Sequence, residues 1–159
     1  MNNFEVLLNA LGAHRVKFVI IGGVAATVHG SARLTSDLDV VYERSPENLC
    51  RVAEAFALLE PYLRGAPQGL PFKLDQETLR RGLNFTLTTT AGPVDVLGEV
   101  TGVGDYYDVF KVSEDVQLFG STFRCINLDY LILSKRAAGR TKDLEAVAEL
   151  ELIRRERGE

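Results

Sequence analysis

One short passage constrains this chain more than any other. Phe18-Val19-Ile20-Ile21 is an unbroken apolar run that stops at Gly22-Gly23, and thirteen residues later (after 24–36) comes Asp37-Leu38-Asp39-Val40-Val41. A short continuous apolar run reads as a strand buried on both faces. The glycines allow a tight turn and a close backbone approach. The small residues from Val24 to Val28 predict a short helix packed closely on the sheet, and Leu38 to Tyr42 a second strand. Alternate side chains of a strand share a face, so this spacing predicts that Asp37 and Asp39 project together while Leu38 and Val40 point to the core.

The remaining elements follow from periodicity. Phe4, Leu7, Leu8 and Leu11 form an apolar helical stripe that ends at Gly12. Ser45 suits a helix N-cap, Pro46 the first helical position and Glu47 the positive helix end, and Leu49, Val52, Ala53 and Phe56 continue that helix. Residues 61–75 hold three prolines and two glycines and read as a loop, followed by a short helix at Gln76 to Arg81. Leu83, Phe85 and Leu87 alternate with polar residues, Ala91-Gly92 makes a turn, and Pro93 to Leu97 returns as the partner strand. A second hairpin pairs Val116–Leu118 with Phe123–Cys125. Two helices, Asp129 to Ala138 and Lys142 to Arg155, follow on either side of Gly139. The order predicts one α/β (α+β) domain over 1–159, a mixed β-sheet flanked by helices. Its core spans about 15–126 and its C-terminal helices 127–157.

Asp37 and Asp39 repel each other unless a cation sits between them, and hard carboxylate oxygens suit Mg²⁺. An Asp-x-Asp taken alone also fits a solvated strand end. Gly22-Gly23 opens a helix whose N-terminal N–H groups face an anion, or else is simply a tight turn. A third carboxylate, Asp95, lies between Val94 and Val96 on another strand, so it points away from the core face. If that face is the one bearing Asp37 and Asp39, three acidic side chains converge.

Phe18-Val-Ile-Ile-Gly-Gly-Val, Asp37-Leu-Asp-Val and Val94-Asp-Val together resemble the polymerase-β-type nucleotidyltransferase superfamily. The likeness is closest to small stand-alone bacterial members, the minimal nucleotidyltransferases and AbiEii-like toxins. Leu128-Asp-Tyr-Leu-Ile-Leu-Ser-Lys135-Arg-Ala-Ala-Gly139-Arg140-Thr-Lys142-Asp143 is similar to their C-terminal helix signature. The resemblance covers residues 18–42, 93–97 and 127–145, and elsewhere only the order of elements. It implies a metal-dependent transfer of a nucleoside monophosphate from a nucleoside triphosphate to a hydroxyl. Gly22 and Gly23 would pack against the triphosphate. Asp37 and Asp39 would hold the metal, and Asp95 would complete a second metal site and help to activate the acceptor. Two Mg²⁺ ions, or Mn²⁺ in their place, are the implied cofactors. The acceptor would be an RNA such as tRNA, a protein or a small molecule. The chain ends about where the catalytic domain of larger relatives ends, so a partner subunit or cognate antitoxin is expected to complete the system in a toxin–antitoxin setting.

Lys135, Arg136, Arg140 and Lys142 fall in a stretch, 130–142, that contains no acid. Such a stretch either clamps a triphosphate or places charge at a helix end. The family signature favours phosphate binding for Lys135, Arg140 and Lys142. Arg33 and Thr35, between the glycines and the carboxylates, are further phosphate-contact candidates. Asp143 reads as a helix-start residue or an orienter of Lys142, His29 as a packing or hydrogen-bonded residue, and His14 and the tail Arg154-Arg155-Glu156-Arg157 as surface.

Composition excludes some classes. Hydrophobic residues at 46% and charged residues at 25% fit a globular chain rather than a disordered one. Eighteen basic against 22 acidic residues give a net charge of −4, which argues against coating nucleic acid by bulk charge. No apolar run approaches the roughly 18 residues of a membrane span. The start lacks a basic n-region, and the two cysteines, Cys50 and Cys125, suggest no disulfide framework, so a cytoplasmic setting with reduced thiols is expected. A haloacid-dehalogenase reading fails because the apolar run follows Asp37 rather than preceding it. A glycosyltransferase would need a larger domain. A non-catalytic nucleotide-binding or interaction module on the same fold stands as the alternative; loss of a carboxylate is its usual sign, and all three are present.

Overall fold

The structure, a computed structural model, describes residues 3–158; Met1, Asn2 and Glu159, which the single-domain reading included, lie outside them. A seven-stranded mixed sheet runs in the order β3-β4-β5-β2-β1-β9-β8. In its interior β1 (Phe18–Ile21) is antiparallel to the central β2 (Leu38–Tyr42) and parallel to β9 (Ser121–Ile126). β2 runs parallel to β5 (Val94–Leu97), which is antiparallel to β4 (Phe85–Thr88). β3 (Tyr62–Leu63) forms one edge beside β4, and β8 (Ser113–Leu118) the other beside β9.

All four residues of β1 are buried, so both faces of the sheet are covered there. On one side α1 (Phe4–Ala13) packs on α3 (Pro46–Phe56), and α3 on α4 (Gln76–Arg81). Elsewhere α2 (Gly22–Val28) packs on β1, β2 and α6 (Leu128–Ala138), and α6 on α7 (Thr141–Glu156). Leu7, Leu8, Leu11, Leu49, Val52 and Phe56 are buried along the predicted stripes, while Ala53 is only partly buried. Ser45 accepts from the Asn48 N–H at 3.3 Å, the cap read from the sequence.

Coverage stops toward β3. β4 alternates buried Phe85 and Leu87 with exposed Thr86 and Thr88, and β5 alternates buried Val94 and Val96 with partly exposed Asp95 and Leu97. Directly paired residues share a face, so Asp39, Asp95 and Thr86 lie in one row across β2, β5 and β4. One face of the sheet is therefore open at its acidic end.

Three features depart from the sequence-based expectation. Tyr62–Leu63 is an edge strand inside the stretch read as a loop, too short for any period to show. Residues 99–111, left without elements, form a small hairpin of β6 (Glu99–Val100) with β7 (Gly104–Asp105) and then α5 (Tyr106–Lys111). A six-residue helix carries no periodic stripe; its only local signal is the reciprocal cap between Asp105 and Asp108. Finally, Asp37 precedes β2 rather than belonging to it.

Candidate active site

The site is built at the turn from β1 into α2. Gly22 has φ +65°, and a Cβ placed there would overlap the Asp39 carboxylate. A Cβ on Gly23 would overlap the Thr35 hydroxyl. The two glycines are thus required first by the protein's own side chains: they let Asp39 and Thr35 lie directly on the backbone. Thr35 in turn donates to the Asp37 carbonyl at 3.3 Å, and Ser36 donates to Asp37 Oδ1 at 2.9 Å. The 31–36 segment is tied to α7, because Glu149 accepts from Ser31 Oγ at 2.5 Å and from the Ala32 N–H at 3.0 Å.

Asp39 and Asp95 are direct partners across the parallel pair β2–β5. Burial raises the Asp39 carboxyl to about 7, and the charge of Asp95, a hydrogen bond with Asp95 and the charge of Asp37 all add to that rise; Lys135 opposes it. The cluster is short of positive charge.

One residue that sequence reasoning missed addresses this shortage. Arg64, just after β3, places Nη2 2.8 Å from Asp95 Oδ1 and Nη1 3.5 Å from Asp37 Oδ2. Nη2 also donates to the Leu87 carbonyl at 2.7 Å. The contact with Asp95 lacks hydrogen-bond alignment, so Asp95 Oδ1 is buried without a hydrogen-bond partner, as is Arg64 Nε. Arg64 sits in a proline- and glycine-rich stretch with no periodicity, and no motif points to it; only strand pairing brings it to the carboxylates.

Beside the carboxylates a cleft of about 280 Å³ is lined by Gly23, Arg33, Thr35, Asp37, Asp39, Lys135, Arg140 and Lys142, together with Asp143. Eight of the ten residues selected from the sequence thus line one cleft. Gly22 lies beneath Asp39, and Asp95 sits one strand away. A larger groove of about 760 Å³ between the end of α1 and β9 contains no carboxylate and none of these residues.

The basic groups are held differently from one another. Asp143 is buried at the start of α7 and accepts from Arg140 Nε at 2.6 Å, Nη2 at 3.2 Å and the Arg140 N–H at 3.3 Å. Asp143 is thus a helix-start residue, one of the two roles read from the sequence, and the side chain it orients is Arg140 instead of Lys142. Lys135 is pulled below its ordinary range by burial, against the opposing charges of Asp143 and Asp39. Arg33 reaches Glu145 at 3.4 Å. Arg136 pairs with Glu151, away from the cleft. His29 is buried, with Nε2 2.7 Å from the Ile126 carbonyl, as expected of a packed histidine. Arg157, read as tail surface, donates to the His29 carbonyl at 2.9 Å. Both cysteines are free, and burial pushes the Cys125 thiol to about 12.

The donor set suits a hard divalent cation: three neighbouring carboxylates, one oxygen of which is buried without a hydrogen bond. As they stand, no three acidic, histidine or cysteine side chains among the described residues are gathered into a metal-binding group. Arg64 already lies against two of the three carboxylates. No helix among the described residues is long and apolar enough to cross a membrane.

The mixed seven-stranded sheet flanked by helices has a nucleotidyltransferase-like fold. Solved structures that share it include the following two. TM1012 of Thermotoga maritima, a proposed nucleotidyltransferase, superposes with a TM-score of 0.57 at 16% identity over 94% of each chain. The antibiotic-resistance factor ANT(2'')-Ia superposes with a TM-score of 0.56 at 14% identity over 95% of this chain and 86% of its own. No family model and no curated protein sequence matches the chain.

Proposed function

We propose that the protein is a nucleotidyltransferase that moves a nucleoside monophosphate from a nucleoside triphosphate to a hydroxyl acceptor. One observation carries this reading: Asp37 and Asp39 line a cleft with Lys135, Arg140 and Lys142, and Asp95 adjoins Asp39 across β2–β5. A triphosphate needs cations along its length, and those three residues, with Arg33, supply them. Arg140 is held in place by Asp143, and the Thr35 hydroxyl, which lines the cleft, can turn from the Asp37 carbonyl to donate to a phosphate oxygen. The acceptor approaches over the open face of β5 and β4, where Asp95 takes the proton from its hydroxyl as that oxygen attacks the α-phosphorus and pyrophosphate leaves. Mg²⁺ held by Asp37, Asp39 and Asp95 would neutralise charge building on the phosphate oxygens and lower the pKa of the acceptor hydroxyl.

A small molecule, an RNA such as tRNA and a protein all present a suitable hydroxyl. The likeness to an antibiotic-resistance factor favours testing small molecules first. A second reading, a non-catalytic nucleotide-binding module, is favoured by Arg64, which balances Asp37 and Asp95 from within the protein. Incubation with each labelled nucleoside triphosphate, Mg²⁺ and a cell extract separates the two. Label transferred with release of pyrophosphate supports transfer. Nucleotide binding with no pyrophosphate release from any nucleotide, with or without extract, supports the module.

A further inference from the structure

We infer that the Arg64 guanidinium is a built-in counter-cation of the carboxylate cluster, and that it competes with a divalent ion for the same oxygens of Asp37 and Asp95. The inference rests on the reading of those carboxylates as metal ligands and goes beyond it, because it assigns a role to a residue outside the family-like motif.

Two observations carry it. First, the guanidinium lies within ion-pair distance of both carboxylates at once, 2.8 Å from Asp95 and 3.5 Å from Asp37. A divalent ion bound to either carboxylate would face this positive charge at close range, and two cations cannot share those oxygens without strong repulsion. Second, Arg64 is incompletely satisfied. Its Nε is buried without a partner, and its contact with Asp95 is not aligned as a hydrogen bond. An arginine serving only to hold the fold would be expected to have its donors paired. This one is held by charge, one bond to the Leu87 carbonyl and its backbone N–H to Thr86.

The position of Arg64 makes its release cheap. It follows a two-residue edge strand and precedes Gly65, at φ +82° with open space around it, and then a stretch largely without regular structure up to α4. Moving the guanidinium aside gives up one hydrogen bond to a backbone carbonyl and the two ion pairs, whose charge the incoming divalent ion replaces, and leaves the pairing of β3 with β4 intact. The displaced side chain stays at the border of the cleft and the open sheet face, where phosphate oxygens would be its next partners.

The test uses Mn²⁺ alone, without nucleotide, on the full chain, with free Mn²⁺ read by electron paramagnetic resonance. Arg64→Met keeps most of the stem and removes the charge, and Arg64→Lys keeps the charge. Competition predicts that Arg64→Met binds Mn²⁺ about tenfold more tightly than the wild type, a change of about 1.4 kcal/mol, and that Arg64→Lys stays closer to the wild type. It also predicts that Arg64→Met melts below the wild type in EDTA and that Mn²⁺ narrows the gap. A readout on the unmutated protein guards against misfolding of the variants: the Arg64 Nε–H resonance should shift on titration with Mg²⁺. Equal or weaker Mn²⁺ binding by folded Arg64→Met overturns the competition and leaves the carboxylate metal site standing. An Arg64 resonance that does not move while Mg²⁺ binds does the same. Absence of Mn²⁺ binding to wild type and variants alike overturns both the competition and the metal site.

Discussion

Asp39 and Asp95 stand directly opposite one another on parallel strands, with the Asp39 carboxylate lying on the backbone of Gly22. Burial, and after it the repulsion between two carboxylates at neighbouring positions on one face, raises the Asp39 carboxyl to about 7.

That rise sets a pH dependence whose sign can be worked out. Unfolded, Asp39 titrates near its ordinary 3.8; folded, near 7. Between those values the folded state holds a proton that the unfolded state has lost. The Asp39 contribution to stability therefore falls as pH rises through this window and levels off above about 7. Thermal melting in EDTA from pH 5 to 8 should show wild type losing ground to Asp39→Asn as pH rises. Parallel curves for the two proteins would mean that the carboxylate is not perturbed.

Gly22→Ala should break the site and weaken the fold together. A left-handed conformation costs an L-residue about 1–2 kcal/mol, and the new methyl must also displace the Asp39 carboxylate. For a domain of this size each kcal/mol lowers the melting temperature by about 2–4 °C. The measurements are calorimetry and Mg²⁺-dependent nucleotide binding. A variant unchanged in both would remove the close packing of Gly22 and Asp39 from the account.

Asp95→Asn should affect transfer more than binding. Asp37 and Asp39 remain to hold the nucleotide-bound metal, while the charge next to the acceptor hydroxyl is lost. Transfer is expected to fall by about 10²-fold or more, the scale of losing a general base, with little change in nucleotide–Mg²⁺ affinity by isothermal titration. Loss of binding along with turnover would make Asp95 a nucleotide-holding residue.

Lys142→Ala should weaken the binding of a nucleoside triphosphate more than that of the monophosphate, because Lys142 lines the cleft assigned to the outer phosphates. Competition against a fluorescent nucleotide measures both affinities. Equal weakening, or none, would return Lys142 to the role of solvated helix-end charge.

Asp143→Ala removes the acceptor at the start of α7 and frees the Arg140 guanidinium. Asp143 is the third helical residue and accepts from the N-cap N–H as half of a capping box; losing that contact costs about 0.3–1.5 kcal/mol, and the orientation of Arg140 goes with it. Asp143→Ala should therefore lower both the melting temperature and triphosphate affinity. A melting drop with unaltered affinity would make Asp143 purely structural.

Much of this site was legible locally. The run Phe18–Ile21, the double glycine, Asp37-x-Asp39 and Asp95 between two valines each carry their signal within a few residues, because side-chain alternation, glycine conformation and apolar continuity are short-range properties. They predict the strands, the turn and the outward direction of Asp39 and Asp95, and the structure agrees, while Asp37 falls just before β2 instead of on it. Which acid meets which depends on strand order and register, and nothing near Asp39 in the chain specifies that its partner across the sheet is Asp95. Arg64 illustrates the limit. Its neighbours in sequence are prolines, glycines and a two-residue strand without period, yet the pairing of β3 with β4 and β4 with β5 carries it to Asp95. Asp143 likewise reads as an ordinary helix-start acid; its contact with Arg140 is local, but the packing of α7 on α6 brings its charge to Lys135. Local sterics decide which way a side chain faces; the burial of the whole apolar surface decides what it faces.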